Sequence, residues 1–367
     1  MFPPSEIEEL PWNTSLPYDI GKQCKGSNAK GDGEMVECKQ LGKVAVSRIE
    51  LPTPFPVGPV NTYLLQQEDV NVLVDCGPKT NEAQQSLLAG LGNLGLQPQD
   101  ITAVVLTHGH VDHVGLCGFL QAQGALVCAH PGVQTWLSPG GRWDEYRKDF
   151  YSRYYAEMGM TKEDMERAFH ELSLFAHWND RSVVNEFLRE GDVLPFLPNF
   201  EVVEVPGHAQ AAIALWDRDS GELVVGDQLL PHISSNAFVE PVMTAARGRE
   251  ADYTHSLLDY RKNLQYLATL PVKKVYPGHG DPFTDAGALI AKRFHSQARR
   301  REEILTLLRQ RPMATAYDIA AIYFAHRNNQ PTLILSETLG YLDLLQTEGS
   351  ARSVRTEDGK IHWEALL

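Results

Sequence analysis

The sequence predicts an α/β fold over residues 43–290, and two observations support this prediction. Short runs of β-branched and apolar residues recur along this part of the chain, and each ends in a polar residue or a glycine. Segments with a helical spacing of apolar residues lie between these runs. Apolar runs bounded by turn signals fit buried strands, and their alternation with helices is typical of an α/β domain.

The predicted elements follow one another in a regular order. Strands are expected at VAVSRIEL (44–51), NTYLLQ (61–66), NVLVDC (71–76), TAVVLT (102–107), EVVEV (201–205), ELVVG (222–226) and KKVYP (273–277). Helices are expected at residues 82–95, 114–123 and 256–270. Several of these strands lead into a histidine or an aspartate, and ligand sites of α/β sheets gather beyond the strand ends.

Three further segments depart from this rhythm. Residues 1–42 are rich in Pro, Gly, Lys and Asn, which predicts an irregular N-terminal extension. Residues 139–190 hold many aromatic and charged residues, which predicts a helical insertion that packs on the domain, covers a site as a lid, or does both. Residues 291–367 have the pattern of three helices and a β-hairpin with an Asp-Gly turn, which predicts a small winged-helix-like domain.

The distribution of charge argues against nucleic acid as a general partner. The chain has 47 Asp and Glu against 33 Lys and Arg, a formal net charge of −14, which repels polyanions. Residues 291–367 carry 11 Lys and Arg against 9 Asp and Glu, yet the third helix predicted there holds only acidic charges (Glu337, Asp343 and Glu348). A recognition helix needs donors to phosphates and bases. We therefore expect this module to pack, to dimerise or to shape a pocket rim.

The segment THGHVDH (107–113) carries the main chemical signal. His108, His110, Asp112 and His113 all offer ligand atoms that suit a metal such as zinc. Clustered polar rings are costly to desolvate unless they bind something. The spacing of His108 and His110 at a strand end lets both rings reach one ion. Asp112 and His113, at the start of the next helix, can reach a second ion.

Three later strand ends supply further residues of ligand type, namely His208, Asp227 and His279. Each of them follows a glycine and comes after a run that predicts a buried strand. Taken singly, each is equally well explained by a structural role. Because ligand sites of α/β sheets lie beyond the strand ends at one edge, the whole set fits one shared site.

These motifs, taken in order, resemble the metallo-β-lactamase superfamily. The matching residues are Asp75 after NVLV, the HxHxDH segment, His208 in PGHA, Asp227 in VVGD and His279 in PGHG. The resemblance covers residues 43–290 and implies an αββα sandwich, in which two mixed sheets lie between helices. The C-terminal module resembles the appendage of one branch of this superfamily, the branch that includes lactamase-like protein two.

The resemblance also implies a role for each residue. The first metal would be bound by His108, His110 and His208, and the second by Asp112, His113 and His279. Asp227 would bridge the two metals, and Asp75 would brace the histidine loop from behind. Asp112 would also orient the attacking hydroxide. His232, five residues beyond Asp227, is a weaker candidate for substrate contact.

The implied reaction is hydrolysis by a hydroxide that bridges two divalent metal ions, with zinc favoured over iron and manganese. The favoured substrate is a small-molecule carboxylic ester, thioester or lactone, as for glyoxalase II, because the aromatic insertion suits an acyl chain or a carrier thioester. Phosphodiester hydrolysis, as in a single-stranded ribonuclease, is an alternative. The resemblance to the branch of lactamase-like protein two favours it, and the negative net charge of the chain argues against it. A non-catalytic ligand sensor on a metal scaffold and a mononuclear iron dioxygenase are further alternatives.

Two departures from related patterns narrow these alternatives. Asp227 stands where many β-lactamases of this fold have a cysteine, which disfavours antibiotic hydrolysis. Flavodiiron proteins have an HxExD pattern, whereas this chain has Gly109 and His110 in the middle of the cluster. This disfavours a redox function of the flavodiiron type.

Composition gives an expectation for the compartment. The five cysteines form no CxxC pair and are expected to be free thiols in a reducing compartment. The N-terminal residues lack the apolar region of a secretory signal, and no run approaches the length of a membrane span. The sequence thus predicts a cytoplasmic protein without a membrane partner, and it is compatible with a homo-oligomer.

Overall fold

The computed structural model describes residues 43–138, 142–243, 253–327 and 330–366, with all their side chains except those of Arg142, Phe175, Ala176 and Arg327. The predicted irregular extension over residues 1–42 lies outside this part of the chain, as do Cys24 and Cys38 within it. No helix in the described ranges combines the length and the apolar character that a membrane crossing requires.

The first sheet contains six strands whose spatial order is their order in the chain. They are β1 (Ala45–Leu51), β2 (Val60–Gln67), β3 (Val70–Val74), β4 (Ala103–Leu106), β5 (Leu126–Ala129) and β6 (Glu186–Phe187). The first three pair antiparallel, and β3 to β6 pair parallel. Parallel neighbours need a crossover, which is supplied by α1 (Asn81–Asn93) after β3 and by α2 (Val111–Val114) and α3 (Cys117–Ala122) after β4.

The second sheet contains four strands. They are β7 (Phe200–Glu204), β8 (Ile213–Asp217), β9 (Glu222–Gly226) and β10 (Lys274–Pro277), and β8 and β9 lie between β7 and β10. The pairs β7–β8 and β8–β9 are antiparallel hairpins. The pair β9–β10 is parallel and is connected through α7 (Ser256–Leu267). Both sheets are therefore mixed.

The alternation of side chains along the strands explains how the layers stack. Val105 of β4 packs in one core with Val202 and Leu215 of the second sheet. Its neighbours Val104 and Leu106 point the other way, into the core that α1 covers. The outer face of the second sheet contributes to a third core with α7 and the C-terminal helices. The order helix, sheet, sheet, helix confirms the expected αββα sandwich.

The remaining elements form the insertion and the C-terminal part. The insertion contains α5 (Arg142–Glu157) and α6 (Lys162–Phe175), preceded by α4 (Gln134–Leu137). The C-terminal elements are α8 (Ala286–Gln310), β11 (Ala314–Thr315), α9 (Ala316–Tyr323), α10 (Pro331–Thr347), β12 (Ala351–Arg355) and β13 (Ile361–Ala365). β12 and β13 form the expected hairpin, and Gly359 takes a φ of +83° in its Asp-Gly turn. The winged-helix interpretation stays a prediction.

Helix α10 lies at the centre of the C-terminal part. It packs against α6, α7, α8 and α9, and its residues Leu339 and Leu342 share a core with Tyr154 and Tyr155 of the insertion. The aromatic side chains of α5 thus join the insertion to the rest of the protein. The described residues from 43 to 366 belong to one compact unit, and α8 spans the predicted domain boundary at residue 290.

Candidate metal centre

The histidine-rich loop follows β4 and is held from both sides. Residues 107–110 lead from the strand into α2, which begins directly after His110. Gly109 lies against the indole of Trp136, and a Cβ at this position would lie 2.3 Å from the indole Cδ1, so only glycine fits there. The same indole meets the ring of His110, with 6.0 Å between the ring centroids.

Asp75 braces the loop from inside the protein. It follows β3, is 2% exposed and takes a φ of +62°, in the left-handed region. The backbone N–H of Thr107 donates to its Oδ1 at 2.8 Å, and the Thr107 hydroxyl donates to its Oδ2 at 2.8 Å. His113 Nδ1 also lies 2.8 Å from Oδ2. With the proton on Nδ1, the Nε2 atom of His113 carries a free lone pair.

Three further histidines each use one ring nitrogen to contact the scaffold. The contacts join His108 Nδ1 to Thr107 Oγ1 at 2.9 Å, His208 Nδ1 to the Asn236 carbonyl at 2.8 Å, and His279 Nδ1 to the Pro59 carbonyl at 2.7 Å. In each ring the Nε2 atom is left to face the cluster. Metal-binding histidines are typically oriented in this way by a partner at the other nitrogen.

The ligand-type atoms converge into three overlapping groups, each with its atoms within 4.8 Å of one another. The groups are His108, His110 and His208; His108, His113 and Asp227; and Asp112, His113 and His279. The first and third groups have the same members as the two ligand sets that the sequence predicts. The structure therefore brings together all seven predicted ligands, and which metal each one binds stays a prediction.

Asp227 lies between the two predicted ligand sets. Its Oδ1 is 3.4 Å from Nε2 of His113. Its Oδ2 is 3.6 Å from Nε2 of His208 and 3.6 Å from Nε2 of His279. One carboxylate thus approaches histidines of both sets, as a bridging ligand must.

The unpaired atoms of the cluster show that divalent cations fit it. Nε2 of His113, Nε2 of His279 and Oδ1 of Asp227 are buried and have no hydrogen-bond partner among the described residues. Nδ1 of His110 lies 3.0 Å from a ring nitrogen of His108 and 3.0 Å from one of His208. Crowded, buried lone pairs are costly unless a cation binds them, and imidazole nitrogens with carboxylate oxygens suit zinc, iron or manganese.

The electrostatics keep most of these groups in the forms that ligate metals, whereas nearby carboxylates, Asp227 foremost, outweigh burial and raise the pKa of His113 and of His279. Burial lowers the pKa of His110 to about 3, with a further contribution from the charge of His208. Burial likewise lowers the pKa of His108 and of His208. Burial alone raises the pKa of Asp227, but the facing His279 and His113 hold it well below its usual range. At neutral pH these three imidazoles are neutral and Asp227 is a carboxylate.

The later ligands reach the cluster because their strands end at the same edge. Asp227 directly follows β9, His279 follows β10 after Gly278, and His208 lies in the loop between β7 and β8. A Cβ at Gly278 would lie 2.1 Å from Oδ1 of Asp227, so this glycine lets the two strand ends approach each other.

A cavity of about 1330 Å³ opens on the cluster. The ligands that line it are His110, Asp112, His208, Asp227 and His279. Its other walls include apolar and aromatic side chains of α5, α6 and α10, such as Tyr151, Tyr155, Phe169, Leu172 and Leu333. The insertion that the sequence singles out is therefore a wall of the site, and so is the C-terminal helix α10.

His232, the weaker candidate for substrate contact, also lines this cavity. It is exposed and lies beside Gly280, where a Cβ would be 2.6 Å from its Nδ1. It therefore lies on the side of the cavity near His279, and its contact with substrate stays a prediction.

Several residues near the ligands had no signal in the sequence. The ring of Phe238 lies 5.3 Å from that of His110. The guanidinium of Arg147 lies 4.2 Å from the ring centroid of Trp136, which itself meets His110. Glu240 is 2% exposed and lines the same cavity. A lone carboxylate in the apolar run AFVEPV (237–242) is the one local signal that could have indicated Glu240.

Comparison with known proteins identifies the family. The sequence profile of the "Metallo-beta-lactamase superfamily" matches residues 55–279, more than half of the chain. The chain belongs to the metallo-β-lactamase superfamily. Its similarity to a relative called "Probable metallo-hydrolase YqjP", from Bacillus subtilis (strain 168), is 34% identity over 309 residues, which cover 84% of this chain and 94% of the relative.

Two other superfamily members extend the comparison. A "Beta-lactamase-like protein 2 homolog" from Caenorhabditis elegans is 23% identical over 284 residues, which cover 77% of each chain. The crystal structure of the metallo-beta-lactamase family protein TTHA1429 from Thermus thermophilus aligns with a TM-score of 0.73 and 27% identity, covering 88% of this chain and 98% of that one. Membership of the superfamily makes this chain a metal-dependent hydrolase. Together with the cluster of histidines and aspartates, it implies that the protein binds divalent metal ions.

Removal of metal is expected to lower the thermal stability of this metallo-β-lactamase-fold protein. A cation that binds only the folded state stabilises it by about 2.7 kcal/mol at a free concentration of 100 times its dissociation constant. Differential scanning fluorimetry with Zn²⁺, and then with a chelator in excess, measures this shift. Asp227→Asn, which removes the shared carboxylate, should shrink the shift. An equal shift in that variant would show that the cation binds elsewhere.

Proposed function

We propose that this protein hydrolyses a small-molecule carboxylic ester, thioester or lactone with two divalent metal ions, zinc being favoured over iron and manganese. The observation that carries this proposal is the wall of the cavity. Aromatic and aliphatic side chains from α5, α6 and α10 face the same space as the ligands. Such a wall suits the apolar acyl part of a substrate whose carbonyl lies at the cluster.

The two predicted ligand sets, with Asp227 between them, would hold the two ions. When bound, the ions lower the pKa of a water molecule and polarise the carbonyl oxygen of the substrate. Asp75, through Thr107 and His113, keeps the ligands oriented. The indole of Trp136 and the ring of Phe238 cover His110 and limit the access of bulk water to it.

Asp112 is the candidate for proton transfer. Burial raises its pKa, but the neighbouring His113 and His279 outweigh burial, and the net pKa lies below the usual range. It is therefore a carboxylate at neutral pH, and its Oδ2 lies 3.4 Å from Nε2 of His279. It lines the cavity, where it can accept the proton of the attacking water as the new C–O bond forms. It can then return this proton to the oxygen or sulfur that leaves the acyl carbon.

The charges on the cavity wall favour an acyl substrate over a polyanion. Among the residues that the structure describes, the cationic side chains that line it are Arg147, Lys148 and Arg300, and the carboxylates outside the metal cluster are Asp144, Glu240 and Glu337. Arg300 is already paired with Glu337. A phosphodiester backbone needs an excess of cations along its path, which this balance does not supply.

A substrate panel tests the proposal. Zinc-loaded protein is expected to hydrolyse p-nitrophenyl octanoate with a kcat/KM at least about 10-fold above that for p-nitrophenyl acetate, because each buried methylene contributes about 0.8 kcal/mol. An octanoyl thioester and an octanolactone test the other acyl classes. Bis(p-nitrophenyl) phosphate is expected to be cleaved far more slowly. Cleavage of the phosphodiester alone would contradict the proposal, and binding without any turnover would favour a ligand sensor.

A further inference from the structure

A buried carboxylate outside the metal cluster lines the substrate cavity. Glu240 is 2% exposed. Its Oε2 accepts a hydrogen bond from the backbone N–H of Gln210 at 2.7 Å, and its own N–H donates to Thr254 Oγ1 at 2.9 Å. Its other oxygen, Oε1, is buried and accepts no hydrogen bond from the described part of the chain. The side chain is thus fixed by one oxygen and open to a partner at the other.

The surroundings of Glu240 make this open oxygen unusual. Burial raises the pKa of Glu240 to about 7, and the charge of Arg147 acts in the opposite direction. Tyr154, which lines the same cavity, also has a buried hydroxyl, for which the described ranges supply no hydrogen-bond partner. Unpaired polar atoms in an apolar cavity are costly, and binding sites place a few such atoms where they orient a ligand.

Two short connections, one along the chain and one through a hydrogen bond, hold Glu240 close to the metal cluster. Along the chain it comes two residues after Phe238, whose ring lies 5.3 Å from that of His110. Its side chain also accepts a hydrogen bond from the backbone N–H of Gln210, which comes two residues after the predicted ligand His208. Two residues of fully extended chain span about 7 Å at most, so both connections are short. A substrate that has its carbonyl at the cluster can reach Glu240 with an acyl chain of moderate length.

We propose that Glu240 Oε1 accepts a hydrogen bond from a hydroxyl or amide N–H on the acyl part of the substrate. This inference rests on the proposed ester or thioester hydrolysis and narrows its substrate class to acyl groups that carry a donor several carbons from the carbonyl. The aromatic side chains that line the cavity then surround the carbons between the carbonyl and the donor group of the substrate.

Selectivity follows from the penalty for an unpaired group. A substrate with a methyl group in place of the hydroxyl leaves Oε1 buried without a partner. Sites built to bind a substrate hydroxyl reject the analogue that lacks it, by up to about 10⁵-fold. At one chain length, we expect the wild-type protein to prefer the hydroxylated substrate by about 100-fold in kcat/KM, a moderate value on that scale.

The experiment uses matched pairs of p-nitrophenyl esters and the full zinc-loaded chain. Each ω-hydroxyalkanoate, from hydroxyhexanoate to hydroxydecanoate, is compared with the alkanoate that has a methyl group in place of the hydroxyl. Glu240→Gln keeps an oxygen for the Gln210 N–H and turns the open atom into a donor. Because a hydroxyl can also accept, this variant is tested with ω-methoxyalkanoates, which accept but cannot donate. The wild-type protein should discriminate against them, and Glu240→Gln should hydrolyse them about as well as the hydroxylated esters. Glu201→Gln, a matched change at a residue that pairs with Arg218, should keep the preference.

A second readout separates this inference from the proposed function. Calorimetry measures binding of the free hydroxyalkanoic and alkanoic acids to the same variants, and it requires no turnover. Hydrolysis of simple esters without any hydroxyl preference, in kinetics and calorimetry, overturns the role of Glu240 alone. A preference in calorimetry with no ester hydrolysis overturns the proposed function and supports the role of Glu240. Equal discrimination against the ω-methoxyalkanoates in the wild-type protein and in Glu240→Gln also overturns the inference.

Discussion

Replacement of His110 by alanine is expected to abolish metal-dependent hydrolysis and to leave the fold in place. Nδ1 of His110 lies 3.0 Å from a ring nitrogen of His108 and 3.0 Å from one of His208, so its loss opens one predicted ligand set. Loss of a partner that only orients a ligand costs about 10- to 100-fold, and the loss of a ligand should exceed that range. The loop keeps its shape because Asp75 holds Thr107 and His113.

Three measurements on His110→Ala check this expectation. They are kcat/KM with p-nitrophenyl acetate, metal content by mass spectrometry, and thermal unfolding followed by circular dichroism. His362→Ala is the control, because His362 lies in β13, where its Nδ1 contacts the Met313 carbonyl outside the cavity. This variant should keep full metal content and activity. If His110→Ala retains both wild-type activity and wild-type metal content, the two-metal hydrolase interpretation is wrong.

The ligands of this site could be predicted from sequence because they are local to strand ends. His108, Asp227 and His279 each come within two residues of a short buried strand. Such strands are bounded so closely by glycine and polar residues that their ends can be located to a residue or two. Once the ends of these strands lie at one edge of the fold, the ligands that follow them are brought together, and no further sequence signal is needed to predict this. The geometry of Asp227 between two histidine groups is a consequence of this convergence.

The walls of the cavity could not be predicted in the same way. Trp136, in α4 after β5, packs against Gly109 and His110. Phe238 contacts His110 from the loop that follows β9 of the second sheet. These contacts depend on how segments that are distant along the chain pack together, and no periodicity encodes that packing. The strand β8 was also absent from the predicted elements, although its run IALWD is buried throughout.

The role of the C-terminal part illustrates the same limit. Its pattern of helices and a hairpin, together with the acidic third helix, predicted a module that packs or shapes a pocket rim. The structure places Leu333 and Glu337 of α10 on the cavity and buries most of that helix. The absence of donors on this helix also predicts that α10 does not read nucleic acid, and this stays a prediction. Only the three-dimensional packing shows which surface α10 covers instead.

Asp75→Asn is expected to weaken metal binding by about 10- to 100-fold, the range found when a partner behind a ligand is lost. Asn tolerates the left-handed conformation that Asp75 adopts, so the backbone should stay in place. The amide oxygen can still accept from the Thr107 N–H. The amide nitrogen, however, replaces Oδ2 beside His113 Nδ1 and offers a donor where an acceptor is needed. The proton of His113 then moves to Nε2, the atom that must carry the free lone pair.

A tautomer measurement distinguishes this positioning role from a general loss of stability. Nitrogen chemical shifts of His113 should report the proton on Nδ1 in the wild-type protein and on Nε2 in Asp75→Asn, with zinc affinity falling in parallel. Asp217→Asn is the matched control, since Asp217 is equally buried, at 4% exposure, but accepts from the backbone of Asp219 in the β8–β9 hairpin. It should lower stability and leave zinc affinity unchanged. Unchanged zinc affinity in Asp75→Asn, or an equal loss in Asp217→Asn, would show that Asp75 acts only on the fold.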